Sequence, residues 1–189
     1  SEMCIRDSSD SYEKHNTGDG HPEQPKRVIA IKEKLKRRKD LIWDKPDNVP
    51  DDILSMTHSK GYINDLKNSF PKKGLKFLDG DTVVSPESKK AVFDAAGSTI
   101  RAIDGIENNQ FKNAFCLARP PGHHAEKNRA MGFCCISNAG VATNYLINKY
   151  KYKRIACVDF DVHWGNGNYD VMRDCLLYTS DAADEGHCV

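Results

Sequence analysis

Two short apolar runs constrain this sequence most, because each one stops directly before a loop of chemically reactive side chains. The first run is Ala114–Ala118, which ends at the turn Pro120–Gly122, and the second lies within Arg154–Phe160. Apolar runs of this length between turn residues are typical of buried strands. Segments with helical spacing surround the two runs, so the sequence predicts an α/β fold with a mainly parallel sheet flanked by helices.

Four segments are predicted to be helices because their apolar residues recur three or four positions apart. They are Pro25–Arg38, Ser59–Ser69, a long segment from Ser85 to about Ile106, and Asn138–Tyr150. Ser85 is the predicted N-cap of the long helix, with Pro86 as its first helical residue.

The composition excludes several classes of protein. The 189 residues fit one domain with a buried core. No apolar run approaches the roughly 20 residues that cross a bilayer, and no secretion signal opens the chain. The seven cysteines show no framework spacing, which favours reduced thiols and an intracellular protein.

The two ends of the chain can be translations of one DNA element. Cys175–Ser180 can be encoded by TGTCTCTTATACACATCT, and the reverse complement of that string contains ATGTGTATAAGAGAC, which encodes Met3–Asp7. We interpret residues 1–8 and 175–189 as translated sequencing adapter; the alternative is a genuine acidic tail. We expect both ends to pack poorly. They carry charges of −1 and −3, so the natural segment, residues 9–174, carries +5 instead of the +1 of the whole chain.

Metal-ligating side chains follow the second apolar run. Asp161 and His163 lie two residues apart, so in extended backbone they share one face, and their oxygen and nitrogen atoms suit zinc. Asp159 falls on the same face and could orient a neighbouring histidine. The alternative for such a motif alone is a turn with a hydrogen-bonded histidine.

Two adjacent histidines, His123 and His124, follow the first run. In a parallel sheet the carboxyl ends of the strands share one edge, so the two loops are expected to meet there. The pair could act as base and acid beside a metal-bound water, with Asp159 holding one ring and Asn166 orienting the other. The alternative is two surface histidines.

Three motifs together resemble the signatures of the histone deacetylase family. They are Arg119–Ala125, Met131–Cys134 and Asp159–Gly167, supported by a His-Pro-Glu motif at His21 and by His58 with Tyr62. The class II-like members, including bacterial deacetylase-like amidohydrolases, are most similar. The resemblance implies an arginase/deacetylase-like fold, and it makes residues 9–174 the N-terminal part of a deacetylase domain, truncated within the fold.

The resemblance also implies roles for individual residues. Asp161 and His163 match two of the family's three ligands to a single zinc ion. His123 and His124 match its catalytic pair, with Asp159 and Asn166 as their respective partners.

Further implied roles concern the substrate and a second cation. Gly132 and Phe133 match the wall of an acyl-lysine tunnel, and Asp81 matches a rim residue that binds substrate backbone. Main-chain carbonyls around Asp159, Asp161 and His163 would hold a structural K⁺.

The sequence departs from the family pattern in two places. Trp164 stands where the family commonly has a second histidine. The third zinc ligand, an aspartate, and a transition-state tyrosine belong to a later half of the family domain. Tyr178 and Asp181 lie in the adapter segment and do not take those roles. We therefore expect this fragment to bind zinc weakly and to be inactive.

Several functions remain open at this stage. The favoured one is a zinc-dependent deacetylase acting on acetyl-lysine or an acetylated polyamine; the oligomeric state is open, and no membrane partner is expected. A degenerate, non-catalytic acyl-lysine binder is the alternative. An arginase-type two-metal site is disfavoured because Gly165 cannot act as a ligand. Direct nucleic-acid binding would rest only on the basic run Lys32–Lys39, which is typical of a solvated helix face.

Overall fold

A helix of 20 residues, α5 (Ser88–Glu107), carries the core of the molecule. The computed structural model describes residues 10–173 and, for the backbone alone, residues 3–6. One side of α5 packs against α6 (Asn138–Tyr150) around Val92, Ile100 and Val141. Another side packs on Tyr12 and Leu117, both buried. α5 therefore lies between two apolar clusters.

A small parallel sheet lies beside this helix. Its order is β2-β1-β5, formed by Leu41–Trp43, Met3–Arg6 and Asn113–Cys116 respectively. Both neighbours run parallel to the central strand. A separate antiparallel pair joins β3 (Lys76–Phe77) to β4 (Val83–Val84).

The other helices are shorter and surround these elements. They are α1 (Ser11–Lys14), α2 (Lys26–Leu35), α3 (Asp51–Leu54), α4 (Lys60–Ser69) and α7 (Asn166–Met172). Within the described part of the chain, no helix is both long and apolar enough to cross a membrane.

The helices predicted from the sequence form, but the start of α5 is different. Ser85 does not cap it: the helix begins at Ser88, and Glu87 at its N-cap makes no side-chain capping bond. The Ser85 amide donates to the Ser88 hydroxyl (2.7 Å) instead. Residues 86 and 87 form a turn before the helix, so the proline precedes it by two residues.

The two apolar runs have different outcomes. The first overlaps β5 (Asn113–Cys116), so the predicted strand forms, but it is not buried as expected: Phe115 is 44% exposed. The second does not form the predicted buried strand: residues 154–161 have no regular secondary structure. Val158 is 81% exposed and Phe160 is 96% exposed. A strand needs neighbouring backbone to bond its amides, and none of the described residues supplies a strand here.

The N-terminal end also differs from expectation. Met3–Arg6 does not lie outside the fold, because its backbone pairs on both sides as the central strand β1. Strand pairing uses main-chain N–H and C=O groups and so depends little on where a sequence comes from. The origin of residues 1–8 remains a prediction, and the C-terminal segment 175–189 lies outside the described residues.

Candidate active site

The loop after β5 carries the histidine pair and is fixed at both ends by buried residues. Leu117 and Arg119 precede the pair and Ala125 follows it, each less than 5% exposed. The His123 carbonyl accepts a hydrogen bond from the Asn168 amide (3.0 Å), which ties the loop to α7. The two imidazole rings lie 4.0 Å apart between centroids, at an angle of 49°.

His123 is oriented by a carboxylate. Its Nδ1 lies 3.0 Å from Asp159 Oδ2, and the same oxygen accepts a bond from Asn168 Nδ2 (3.1 Å). A carboxylate can only accept, so Nδ1 carries the proton in this contact. The neutral ring then has its lone pair on Nε2.

His124 is oriented by a neutral amide. Its Nδ1 lies 2.6 Å from Asn166 Oδ1, while Asn166 Nδ2 donates to Glu126 Oε1 (2.8 Å). The Glu126 carboxylate fixes the amide orientation, because only the nitrogen end of the amide can donate to it. His124 therefore also donates from Nδ1, and a neutral His124 keeps its lone pair on Nε2.

The two candidate metal ligands contact each other. His163 donates from both its main-chain amide and Nδ1 to Asp161 Oδ1, each over 2.9 Å. These bonds hold the pKa of Asp161 below its usual value, the main-chain amide contributing most. The side chain of His163 is 73% exposed and that of Asp161 is 48% exposed. The His163 ring lies 6.1 Å from that of His124, so the structure brings the two loops together.

The donor atoms suit zinc in type but not in number. Residues 10–173 contain no group of three or more His, Cys, Asp or Glu side chains placed to hold a metal ion. Zinc sites use three or four protein ligands. Asp161 and His163 alone are an incomplete set, so the chain as described does not form a closed zinc site.

One open cavity of about 580 Å³ lies between the two loops. The His123 loop lines one side, residues 157–162 line the other, and Asn168 of α7 contributes to it. Trp164 lies outside this lining; it is 47% exposed and its ring is 5.7 Å from that of Tyr169.

The predicted tunnel wall lies directly against His124. Gly132 has a φ of +56°, and a Cβ built there would lie 2.5 Å from His124 Cδ2. Only glycine allows this approach without strain. The next residue, Phe133, donates its amide to Thr82 Oγ1 (3.0 Å) and packs edge-on against His21, 4.7 Å between centroids.

Asp81 lies at the outer end of this wall. It is exposed, and its main-chain carbonyl lies 3.0 Å from His21 Nε2. Its side chain lies 3.5 Å from Thr82 Oγ1 and also hydrogen-bonds the side chain of Asp79. The exposed carboxylate lies at the rim beside His21.

Several supporting residues were not assigned functions from the sequence. His58 is fully buried, with Nδ1 2.9 Å from the Glu126 carbonyl and Nε2 accepting from the Ser137 amide (3.0 Å). Glu126 in turn holds Asn166. The His58 motif was visible in the sequence, but its contacts join residues that lie far apart along the chain and leave no local pattern.

Comparison with known proteins gives the family. The sequence model of one protein family, described as the histone deacetylase domain, matches residues 21–180. The chain belongs to the histone deacetylase family. An uncharacterized protein of Synechocystis is 40% identical over 168 residues, covering 84% of this chain and 54% of that protein. Histone deacetylase 5 of Arabidopsis thaliana is 33% identical, covering 82% of this chain and 26% of its own.

A solved structure supports the fold. The crystal structure of the HDA15 HD domain is similar with a TM-score of 0.82 and 28% identity, covering 91% of this chain and 50% of that chain. A "Probable deacetylase" of Archaeoglobus fulgidus is 30% identical, with 90% of this chain and 49% of that protein covered. This deacetylase-family chain has the deacetylase fold, and it spans about half or less of the length of these relatives.

Proposed function

We propose that this chain is the N-terminal part of a zinc-dependent deacetylase that hydrolyses N-acetyl-lysine or a similar acetylated amine. The observation that carries the proposal is the unequal pair: His123 is held by a carboxylate and His124 by an amide. Two titratable groups in different environments are a common basis for dividing acid and base roles. Family membership supports hydrolysis of an amide.

Each side chain of the site is assigned one role in the proposed hydrolysis. Asn166 holds His124 in the tautomer whose Nε2 can take a proton from the attacking water. His123, whose Nδ1 donates to Asp159, is assigned to stabilise charge and supply a proton to the leaving amine. Gly132 and Phe133 form an apolar wall for the methylenes of the lysine. Asp81 is assigned to bind substrate backbone at the rim.

Asp161 and His163 are assigned as two zinc ligands, with the third outside the described residues. When bound, zinc lowers the pKa of its water to roughly 7. The main-chain carbonyls around Asp159, Asp161 and His163 are the proposed K⁺ site. The fragment itself is proposed to be inactive, with residues 1–8 and 175–189 derived from adapter.

A degenerate acyl-lysine binder is the second candidate, and one observation favours it. Within residues 10–173 the ligand set stops at two. A binder would keep the wall at Gly132 and Phe133 while needing no complete metal site.

The deciding experiment uses the uninterrupted reading frame of the parent protein. His163→Ala should lose bound zinc and acetyl-lysine turnover together. His124→Ala should keep its zinc and lose about 10²–10⁴ in turnover, the usual contribution of one acid–base group. Asn148→Ala, on the far part of α6, is the control. A parent that binds acetyl-lysine peptides without zinc or turnover would establish the binder instead.

A further inference from the structure

The structure contains a buried ion pair that the proposed chemistry does not use. Glu23 is completely buried and Arg119 is 2% exposed. The guanidinium makes two parallel bonds to the carboxylate, Nε to Oε1 and Nη2 to Oε2, each 2.6 Å. The two residues are 96 positions apart in the chain. Such a bidentate contact fixes the orientation of both partners as well as their distance.

The surroundings complete the hydrogen bonding of this pair. Arg119 also donates to the main-chain carbonyls of Tyr12 and Glu23. His15 Nε2 lies 3.5 Å from Glu23 Oε2, and His15 Nδ1 lies 2.6 Å from the Ser88 hydroxyl. Burial lowers the pKa of His15 to about 4, so this histidine is neutral at pH 7 and leaves the carboxylate to Arg119.

Each partner is attached to a different part of the candidate site. Glu23 lies two residues after His21, and its amide donates to His21 Nδ1 (3.0 Å). With Nδ1 as an acceptor, His21 donates from Nε2 to the Asp81 carbonyl, and its ring packs on Phe133. Glu23 therefore supports the rim and the wall.

Arg119 supports the catalytic loop. It lies four residues before His123, and the intervening segment Pro120–Gly122 has little conformational freedom because of its two prolines. A shift of the Arg119 backbone is therefore passed on to the histidine pair.

We propose that the Glu23–Arg119 ion pair is a positioning device that sets the tunnel wall at a fixed place relative to the His123–His124 loop. Its catalytic consequence rests on the proposed deacetylase function; the positioning itself does not. A buried ion pair adds little net stability over an apolar pair of equal volume, whereas its geometry is specific. A role in geometry explains its presence better than a role in stability does.

The test measures amide hydrogen exchange in the 189-residue chain, which requires neither zinc nor turnover. Two reporters are used: the Asn168 amide, bonded to the His123 carbonyl, and the Phe133 amide, bonded to Thr82. Arg119→Lys keeps the charge but cannot make the two parallel bonds to the Glu23 carboxylate. We expect both reporters to exchange about tenfold faster or more, with the amides in the middle of α5 unchanged.

Two further variants keep the result decisive. Arg27→Lys is the matched control, since this exposed arginine lies 3.8 Å from Glu23 and makes no pair of parallel bonds to it. This variant should leave both reporters unchanged. Glu23→Gln combined with Arg119→Met removes both charges, keeps the volume and should also speed both reporters. The ¹⁵N signals of the His21 and His124 rings, at one fixed pH, should shift together in Arg119→Lys.

The outcomes separate the possibilities. Faster exchange throughout α5 and α6, equal to that at the reporters, would make the pair a general stabiliser and overturn the proposal. A response of only one reporter would show that wall and loop are not coupled, with the same consequence. A coupled response in a parent protein that lacks turnover would leave the positioning intact and reject the deacetylase function.

Discussion

The two apolar runs with their reactive loops have similar sequences and opposite structures. The first run becomes β5, paired with β1, and its loop is anchored by buried residues on both sides of His123 and His124. The second run forms no strand, and Val158, Phe160 and Val162 are all more than 80% exposed. The difference lies in what surrounds each run.

Apolar side chains recur at every second position at the end of the second run, although residues 156–164 are all exposed. Val158, Phe160 and Val162 are two residues apart, which is the spacing of one face of a strand. The relatives extend to about twice the matched length or more. A monomeric protein rarely leaves such a face uncovered. Under the proposal that this chain is the N-terminal part of a deacetylase domain, the rest of that domain would cover it.

The largest expected effect comes from truncating one side chain in each run. Leu117→Ala should destabilise the 189-residue chain by about 2–5 kcal/mol, because Leu117 is 4% exposed in an apolar cluster. Phe160→Ala should cost less than about 0.5 kcal/mol, because its ring is 96% exposed. Urea unfolding measures both.

The parent protein sharpens this comparison. There the same Phe160→Ala change should cost about 3–5 kcal/mol, as for a buried aromatic residue. A small cost in both proteins would contradict the inference that the rest of the domain covers this face.

The second prediction concerns pH. Burial lowers the pKa of His15 and of His58 to about 4 each. Both side chains are neutral in the folded state and gain a proton more readily when unfolded. The stability they contribute is therefore complete above pH 6.5 and decreases as the pH falls from 6.5 to 4, by up to about 3 kcal/mol for each.

Chemical unfolding at pH 7 and pH 4.5 tests this expectation. His58→Gln should be less stable than the unmodified chain at pH 7 and lose less on acidification. Asn148→Ala, which removes no titratable group, is the control and should leave the pH dependence unchanged. An unmodified chain equally stable at both pH values would refute the prediction.

The third prediction tests the contact between wall and histidine. Gly132→Ala should cost about 1–2 kcal/mol from its left-handed backbone alone, and its Cβ would displace the His124 ring. Gly74→Ala is matched, because Gly74 is also left-handed, with a φ of +70°, and a Cβ there meets no atom within 4 Å. The readouts are the unfolding free energy and the His124 ring signals. Identical behaviour of the two variants would mean that the wall does not touch His124.

Sequence patterns predicted those helices and strands whose formation depends mainly on residues close together in the chain. Asn138–Tyr150 is helical within the predicted bounds, because Ser137 caps it and apolar spacing continues through Tyr150. β5 formed because its neighbours are present. The contacts of His123 with Asp159 and of His124 with Asn166 bring the two loops together as expected. The reason given for it, a shared sheet edge, was wrong, because the second run forms no strand, and the roles of these residues remain proposals.

The failures share a cause: they depend on distant partners. The second run has a strand's sequence without a strand's neighbours. The Ser85 hydroxyl is drawn away from a capping role by Ser88 and by the amide of Asn16. The Glu23–Arg119 pair joins residues on different loops, and neither residue's own surroundings in the sequence indicate the other.

The smallest expected effects concern the two serine caps, which test how strongly local signals act near the two loops. Ser59 accepts a bond from the Tyr62 amide (3.2 Å), and Ser137 accepts one from the Gly140 amide (3.2 Å). Ser59→Ala should cost about 1 kcal/mol, the usual value of a helix cap. Ser137→Ala should cost up to about 2 kcal/mol, because Ser137 is fully buried and also donates to Asn168 Oδ1 (3.0 Å). Asn168 holds Asp159, so only Ser137→Ala should also alter the ring signals of His123. Threonine at either position keeps the oxygen and should restore most of the stability. If Ser59→Ala altered the His123 ring signals as much as Ser137→Ala does, the two caps would not differ in the way that their contacts indicate.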